Sequence, residues 1–372
     1  MNDFIPVSEP LLTGNEKAYL QNCIDTGWIS SEGPFVGCFE RAVADWCGVR
    51  HAVAVTNGTA ALHVAVGSLP FKPGDEILMP DFTIISCALA IIENGCTPVL
   101  VDSDPETWAM DAKQLQAKIT ARTRGVMVVN IYGHPVDMAV VNGLAARHGL
   151  YVIEDAAEGL GSTAYGKPGG ALGHVAALSF YANKLISTGE GGMVLTNDDT
   201  TAENARALRN LCFRTDRRFL HSRIGHNHRM TNIQAAVGLA QMERIETFIK
   251  RRRSMGRLYL KGLSGLPVQL PAEREWASNI YWMFGLVLDD DVPCDAEEFT
   301  RRLAESNIQT RPFFLGMHEQ PVLQEMGLFK GESYPVSARL ARRGFYLPSG
   351  QAITDGQIER VCREVRKIFK TL

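Results

Sequence analysis

The sequence predicts an α/β fold in which helices cover both faces of a mainly parallel sheet. Over the first two thirds of the chain, short apolar runs alternate with longer amphipathic stretches, which is typical of parallel strands joined by helices. After Asn232 this alternation stops, and a long helical pattern precedes a mixed region. We therefore expect a large domain over residues 1–245 and a small α+β domain over residues 246–372.

The large domain is predicted to open with two helices. Thr13 and Glu16 have capping-box spacing and indicate a helix whose apolar face carries Leu20 and Ile24. A second helix is expected around Phe39 and its helically spaced apolar neighbours. Seven strands are then expected at 52–56, 76–79, 99–102, 126–131, 150–154, 176–180 and 193–196, with helices at 59–69, 84–93, 112–119 and 137–148.

The C-terminal third begins with a helical pattern over 233–263, which predicts one long helix linking the two domains. Its basic run at 250–253 is interpreted as a solvated face. An apolar run at 280–288 and helices at 296–306 and 355–369 complete the predicted small domain.

Composition excludes several classes of protein. The 372 residues carry 38 Lys and Arg against 41 Asp and Glu, a net charge of −3, which argues against a nucleic-acid or membrane-surface binder. The N-terminus lacks a signal-peptide pattern, and the apolar runs are too short for a membrane helix. Together with eight cysteines read as free thiols, this predicts a cytoplasmic protein. No metal site is expected, because the histidines at 51, 63, 148 and 174 are dispersed.

The candidate catalytic and binding residues lie just after the predicted strands, where open parallel sheets bind ligands. Asn57, Gly58 and Thr59 lead from the first strand into a helix, which can form a cradle for an anion. Asp155 ends another strand, and Lys184 lies in a later glycine-rich loop. An anion cradle, a strand-end carboxylate and a loop lysine are what pyridoxal phosphate requires for its phosphate, ring nitrogen and aldehyde.

Motifs along the chain resemble those of the DegT/DnrJ/EryC1/StrS sugar aminotransferases, which are fold-type I (aspartate aminotransferase-like) pyridoxal phosphate enzymes. The resemblance covers nearly the whole sequence. Its motifs lie at 25–31, 57–59, 132–138, 154–158, 183–192, 225–232 and 311–318.

The resemblance implies a role for each candidate residue. Lys184 would link covalently to the cofactor and move the proton during transfer, and Asp155 would pair with the pyridine nitrogen. Gly58, Thr59 and Ser179 would bind the phosphate, with Asn227 reaching it from the other subunit of a homodimer with shared active sites. The remaining positions are Glu158 and Ile84 beside the ring, and Trp28, Ser30, Arg229 and His318 around the sugar nucleotide.

The resemblance also implies a reaction: amination of a nucleotide-linked 4-keto-6-deoxy sugar with glutamate as donor, the cofactor passing through pyridoxamine phosphate. GDP-4-keto-6-deoxymannose aminated at C4, for surface polysaccharide such as lipopolysaccharide O-antigen, is the favoured substrate. Ile84 departs from the family, which usually has an aromatic ring there. Alternatives are C4 or C3 amination of a UDP- or dTDP-linked sugar, a sugar dehydratase, and a non-catalytic regulatory member.

Overall fold

A computed structural model of the chain describes residues 4–214, 216–217 and 219–372. In these residues the helices are α1 (Glu16–Thr26), α2 (Pro34–Cys47), α3 (Gly58–Ser68), α4 (Ser86–Glu93), α5 (Leu115–Lys118), α6 (Met138–His148), α7 (Asp199–Arg209), α8 (Asn232–Met242), α9 (Ile245–Leu263), α10 (Ala296–Glu305), α11 (Pro321–Glu325), α12 (Pro335–Arg343) and α13 (Asp355–Thr371). The strands are β1 (His51–Val55), β2 (Glu76–Pro80), β3 (Thr97–Val101), β4 (Thr123–Val129), β5 (Tyr151–Asp155), β6 (Thr163–Ala164), β7 (Lys167–Pro168), β8 (Val175–Ser179), β9 (Gly192–Thr196), β10 (Val268–Gln269), β11 (Ala277–Ser278), β12 (Phe284–Leu288), β13 (Arg311–Pro312) and β14 (Gly344–Leu347).

The main sheet has seven strands in the order β1-β9-β8-β5-β4-β2-β3. Strand β9 is antiparallel to both of its neighbours, and the other pairings are parallel. The predicted mainly parallel sheet is therefore confirmed, and each predicted strand overlaps an observed one. Because β1, β2, β4, β5 and β8 run in one direction, their carboxyl ends meet at one edge of the sheet.

The predicted start of the first helix is wrong in its details. Helix α1 begins at Glu16, and Asn15 stands at its N-cap position without a side-chain cap bond. The Glu16 carboxylate is buried and accepts hydrogen bonds from the backbone of Gly14 and the side chain of Gln241. Ile24 is 63% exposed, so it is not on the packed face, where Cys23 is buried instead.

The single helix predicted over 233–263 is two helices, α8 and α9, which are separated at Glu243 and Arg244. Both residues at this break are held by the N-terminal segment. The Glu243 carboxylate accepts hydrogen bonds from Asn15 and Tyr19, and Arg244 donates to Thr13. Arg244 has non-helical backbone angles (φ −117°, ψ 9°), which ends the continuous helical pattern.

The basic run at 250–253 is not the solvated face that the sequence predicts. Lys250 is exposed, but Arg252 is only 1% exposed. The Arg252 guanidinium donates to the backbone carbonyls of Trp282 and Ser349, and burial lowers its pKa to about 9. The residue pattern does not indicate the burial of Arg252, because its partners are backbone carbonyls, which every residue has, and not an acidic side chain that could be seen in the sequence.

The C-terminal region forms a second sheet in the order β10-β12-β14-β13. Its core also contains Ile5, whose backbone pairs with Ile308. We retain the domain division at residue 245 as a proposal. All eight cysteines are free, and two of them, Cys38 and Cys294, are partly exposed. In the described part of the chain, each helix is too short or too polar to cross a membrane.

Candidate active site

A cavity of about 640 Å³ opens at the carboxyl edge of the main sheet. It brings together seven residues that the sequence proposes as cofactor or catalytic groups, although these come from five separate stretches of chain. They are Gly58, Thr59, Ile84, Asp155, Glu158, Ser179 and Lys184. Other lining residues include Asn57, His63, Ser86, Glu93, Asn183, His228, Trp282 and Tyr346.

The N-terminus of α3 forms the predicted cradle for an anion. The Asn57 side chain accepts a hydrogen bond from the backbone of Ala60 (2.8 Å) and caps the helix. Gly58 lies so close to Ser179 that a Cβ atom at Gly58 would be 2.8 Å from the Ser179 Cβ. The Thr59 hydroxyl lies 2.9 Å from the Ser86 hydroxyl. Free N–H groups, the helix dipole and several hydroxyls therefore meet in one place, which suits a phosphate.

Asp155 ends β5 and is 2% exposed. One carboxylate oxygen accepts a hydrogen bond from the Ala157 backbone (3.0 Å), and the other accepts from Cys87 Sγ (3.1 Å). Burial raises the pKa of Asp155, while these donors and the nearby Lys184 oppose the rise. A carboxylate kept this dry is stabilised by a cationic partner.

The neighbouring carboxylate, Glu154, has a different task. Its side chain is on the opposite face of β5 because strand residues alternate. It accepts hydrogen bonds from the Asn130 side chain and from the backbones of Gly170 and Leu172, at 2.8–2.9 Å. Glu154 therefore holds the 170–172 loop, whereas Asp155 faces the cavity.

Lys184 and Glu158 lie side by side inside the cavity. Lys184 Nζ lies 3.7 Å from Glu158 Oε1, and the two side chains are 13% and 7% exposed. Glu158 also accepts a hydrogen bond from the Tyr132 backbone (2.8 Å). Burial lowers the pKa of Lys184 and raises the pKa of Glu158 to about 7. Both shifts favour a neutral amine at Lys184, which is the nucleophilic form.

Trp282 is a feature of the site that sequence reasoning missed. Lys184 Nζ lies 3.7 Å from the centre of its ring, a cation–π contact when the lysine is charged. The indole N–H donates to the Asn183 carbonyl (3.0 Å), and Arg252 donates to the Trp282 carbonyl (2.6 Å). The sequence holds no local signal for this contact, because Trp282 comes from the segment just before β12.

Five of the predicted residues lie outside this cavity. Trp28, Ser30 and Arg229 line a second cleft of about 770 Å³, which also carries Arg209 and Arg214. Asn227 is exposed, and its backbone pairs with Asn210. In the part of the chain that the structure describes, Asn227 is not among the residues lining the Lys184 cavity.

His318, the fourth predicted sugar-nucleotide residue, is buried beside Asp81. Its Nδ1 atom lies 2.8 Å from the Asp81 carboxylate, which also accepts the His318 backbone N–H. Burial raises the pKa of Asp81, and the histidine opposes that rise. Asp81 follows β2, so this pair anchors the 316–318 segment to the end of that strand. His318 is not among the described residues that line the cavity.

The residues of the cavity fit pyridoxal phosphate. The buried Asp155 carboxylate would be stabilised by a cation such as a protonated ring nitrogen. The amine of Lys184 has a lowered pKa. The cradle at the start of α3 lines the cavity and can receive an anion. Each requirement of the cofactor thus meets a suitable group among the residues that line the cavity.

Comparison with known proteins gives the same picture. The profile of the DegT/DnrJ/EryC1/StrS aminotransferase family matches residues 10–366. GDP-perosamine synthase of Caulobacter vibrioides is 41% identical, with 98% of each chain covered. The enzyme of that name from Escherichia coli O157:H7 is 40% identical, covering 98% of this chain and 99% of the relative.

Solved structures agree on the fold. DesI, determined in the presence of its TDP-sugar product, superimposes with a TM-score of 0.89 at 31% identity, covering 99% of this chain and 94% of its own. Helicobacter pylori PseC, an aminotransferase of pseudaminic acid biosynthesis, has a TM-score of 0.94 at 22% identity, with 99% and 100% covered.

Proposed function

Because the chain belongs to the DegT/DnrJ/EryC1/StrS aminotransferase family, we propose that it converts GDP-4-keto-6-deoxymannose to GDP-perosamine. Glutamate would donate the amino group, and pyridoxal 5'-phosphate would be the cofactor. The observation that carries the proposal is the meeting of Lys184, Asp155 and the α3 cradle in one cavity. The fold and the family description independently support an aminotransferase.

Different residues of the cavity would bind different parts of the cofactor. Gly58, Thr59 and Ser179 would receive the phosphate at the start of α3, and Asp155 would accept a hydrogen bond from the ring nitrogen. Glu158 would lie beside the ring, and Ile84, which is 44% exposed at the cavity wall, would cover it by dispersion. An aliphatic cover lacks the stacking contribution of roughly 0.5–1.5 kcal/mol that an aromatic ring adds.

Proton transfer is assigned to Lys184. When bound, pyridoxal phosphate supplies an electron-withdrawing ring that carries the amino group between donor and acceptor. Lys184 Nζ, with its pKa lowered by burial, would take a proton from one carbon and return it to another. Glu158, 3.7 Å away, and the Trp282 ring hold this amine in place and limit the positions it can adopt.

Several residues expected to bind the sugar nucleotide lie away from the cofactor cavity of the same chain, which supports a homodimer with shared active sites. Trp28, Ser30 and Arg229 line the arginine-rich second cleft, and Asn227 is exposed beside it. If a second subunit brings its cleft against the Lys184 cavity, these residues would reach a sugar nucleotide and the phosphate across a two-fold axis. The arginines would then face the diphosphate of the nucleotide.

The names of the relatives favour GDP as the nucleotide. Those at 40–41% identity are named for a GDP-linked sugar, whereas DesI, whose structure contains a TDP-sugar, is 31% identical. A dehydratase is disfavoured because relatives of that kind replace the lysine with histidine, and this chain has Lys184. A regulatory role is disfavoured because both Asp155 and Lys184 are present.

A substrate panel tests the proposal. Purified enzyme with pyridoxal phosphate and glutamate is offered GDP-, UDP- and dTDP-linked 4-keto-6-deoxyhexoses, and the amino sugar is followed by mass spectrometry and NMR. We expect amination at C4 of the GDP-linked sugar and none with Lys184→Ala. Preference for a UDP- or dTDP-linked sugar, or amination at C3, would replace the substrate assignment. Loss of water without amination would contradict transamination itself.

A further inference from the structure

Three histidines come together at the mouth of the cavity, outside the groups that the transamination uses. His63, His226 and His228 each offer a ring nitrogen, and these nitrogens all lie within 4.8 Å of one another. We refer to them as the histidine cluster. The His226 and His228 rings are stacked with centroids 5.0 Å apart, and His63 meets His226 edge-on at 4.6 Å. The order of residues along the chain does not indicate this cluster, because His63 is far from the other two histidines.

Backbone hydrogen bonds fix the positions of His226 and His228. The His226 N–H donates to the Leu208 carbonyl and the His228 N–H to the Arg209 carbonyl, while the His228 carbonyl accepts from Thr56. This extended segment is thus held between the end of β1 and the end of α7. Residues two apart on an extended segment project to the same side, so both rings face α3.

His63 belongs to the helix that begins at the phosphate cradle. It lies four residues after Thr59, so the two side chains occupy the same face of α3 one turn apart. The Asn94 side chain donates to the His63 carbonyl (3.1 Å), which ties this turn to the end of α4. Three imidazoles from two rigid elements are therefore arranged before any ligand arrives.

A carboxylate lies beside one of the three histidines. Glu93 Oε2, at the end of α4, lies 3.9 Å from His63 Nε2, and Glu93, His63 and His228 all line the cavity. Burial lowers the pKa values of His63 and His228, and the neighbouring imidazoles add to that effect.

We propose that the histidine cluster binds one divalent transition-metal ion of the Zn²⁺ class, with Glu93 as the fourth ligand. Three imidazoles and one carboxylate form a donor set that suits Zn²⁺ or Co²⁺ rather than Mg²⁺ or Ca²⁺. The ring nitrogens lie within 4.8 Å of one another, and bonds of about 2.0–2.1 Å would require them and the Glu93 carboxylate to move to roughly 3.4 Å of one another. The ion would link α3, α4 and the 226–228 segment.

Binding is tested with Co²⁺ as the probe, because its visible bands report tetrahedral coordination and lie at longer wavelength than the cofactor. The holoenzyme is treated with a chelator, dialysed and titrated with Co²⁺. We expect about one ion per chain. His63→Phe, His226→Phe and His228→Phe keep a ring in the packing but remove the ligand, and each should weaken Co²⁺ binding at least tenfold. His148→Gln changes an exposed histidine of α6 and should leave binding unchanged.

A second measurement does not depend on the colour of the complex. Zn²⁺ should raise the midpoint of thermal unfolding of the parent protein and of His148→Gln, but not that of His226→Phe, because only a metal-binding native state is stabilised by the ion. Glu93→Gln should retain the three imidazoles and bind Co²⁺ more weakly than the parent. The proposal is overturned if Co²⁺ binding in the parent is substoichiometric, or if the three phenylalanine variants bind it as the parent does.

Discussion

Replacing Asp155 by Asn removes one charge from the cavity while keeping the size of the side chain. Asn can still accept the Ala157 N–H, which is 3.0 Å from one carboxylate oxygen. Its amide nitrogen would then occupy the position of the oxygen that accepts from Cys87, so the side chain would present a donor in place of an acceptor. The ring nitrogen of the cofactor would lose its anionic partner.

The size of the effect follows from the burial of Asp155, which is 2% exposed. A hydrogen bond to a charged group contributes about 1.5–3 kcal/mol, and the upper end applies where water is excluded. A loss of about 3 kcal/mol from the transition state slows turnover by roughly 150-fold. Cofactor should still bind, because Lys184 and the α3 cradle are unchanged.

The assay follows release of 2-oxoglutarate from glutamate in the presence of the keto sugar, with bound cofactor measured by absorbance. The apoprotein of Asp155→Asn should be no less stable than the parent, because the pKa of this buried carboxyl is raised. A carboxyl group whose pKa is higher in the folded than in the unfolded protein lowers stability fully once the pH exceeds both pKa values. Glu154→Gln is the contrasting variant. Burial raises the pKa of Glu154 as well, but its two oxygens accept three hydrogen bonds, and an amide has only one acceptor oxygen. The variant should therefore leave a buried N–H of the 170–172 loop unpaired and lower stability. Turnover within about threefold of the parent in Asp155→Asn would refute the proposed role.

Three other predictions concern separate features. Borohydride reduction of the holoenzyme followed by peptide mapping should place the pyridoxyl group on Lys184, and its recovery on another lysine would contradict the assignment. Mixing Lys184→Ala with Asn227→Ala subunits should restore activity towards about a quarter of the parent value if sites are shared across a two-fold axis; no recovery, with exchange verified by a tag, would mean that Asn227 does not serve the partner. Arg252→Met should lower the free energy of unfolding by about 3 kcal/mol in urea, because two buried carbonyls lose their donor, whereas the exposed Lys250→Met should change it by less than about 0.5 kcal/mol; equal effects would show that burial of Arg252 is unimportant.

The strands of the main sheet could be predicted because each is a buried apolar run, and burial on both faces leaves a clear signal in the sequence. The candidate residues at the strand ends followed from the same pattern: Asp155 and Ser179 end strands β5 and β8, and Gly58 starts the helix after β1. The strands and the candidate site residues at their ends were thus predictable, because both depend on residues that are close together in the sequence.

Contacts between distant segments were not predictable in this way. Arg252 and Trp282 are brought together by the packing of α9 against the segment before β12, and His63 meets His226 only because β1, α3 and α7 converge. The break between α8 and α9 depends on Glu243 and Arg244 bonding to the N-terminal segment. In each case the controlling partner lies far away in sequence, so helical periodicity alone indicates the wrong environment.

The position of β1 at the edge of the main sheet has a consequence for synthesis of the chain. In the described sheet β1 pairs with β9, and His51 lies opposite Thr196, about 145 residues later. Because the ribosome adds roughly 10 residues per second, about 15 seconds pass between the synthesis of β1 and that of its partner strand β9. During that time an apolar strand with open edges is available to other chains. Yield in a heterologous host should therefore depend on chaperone capacity, and nascent chains released before β9 should aggregate.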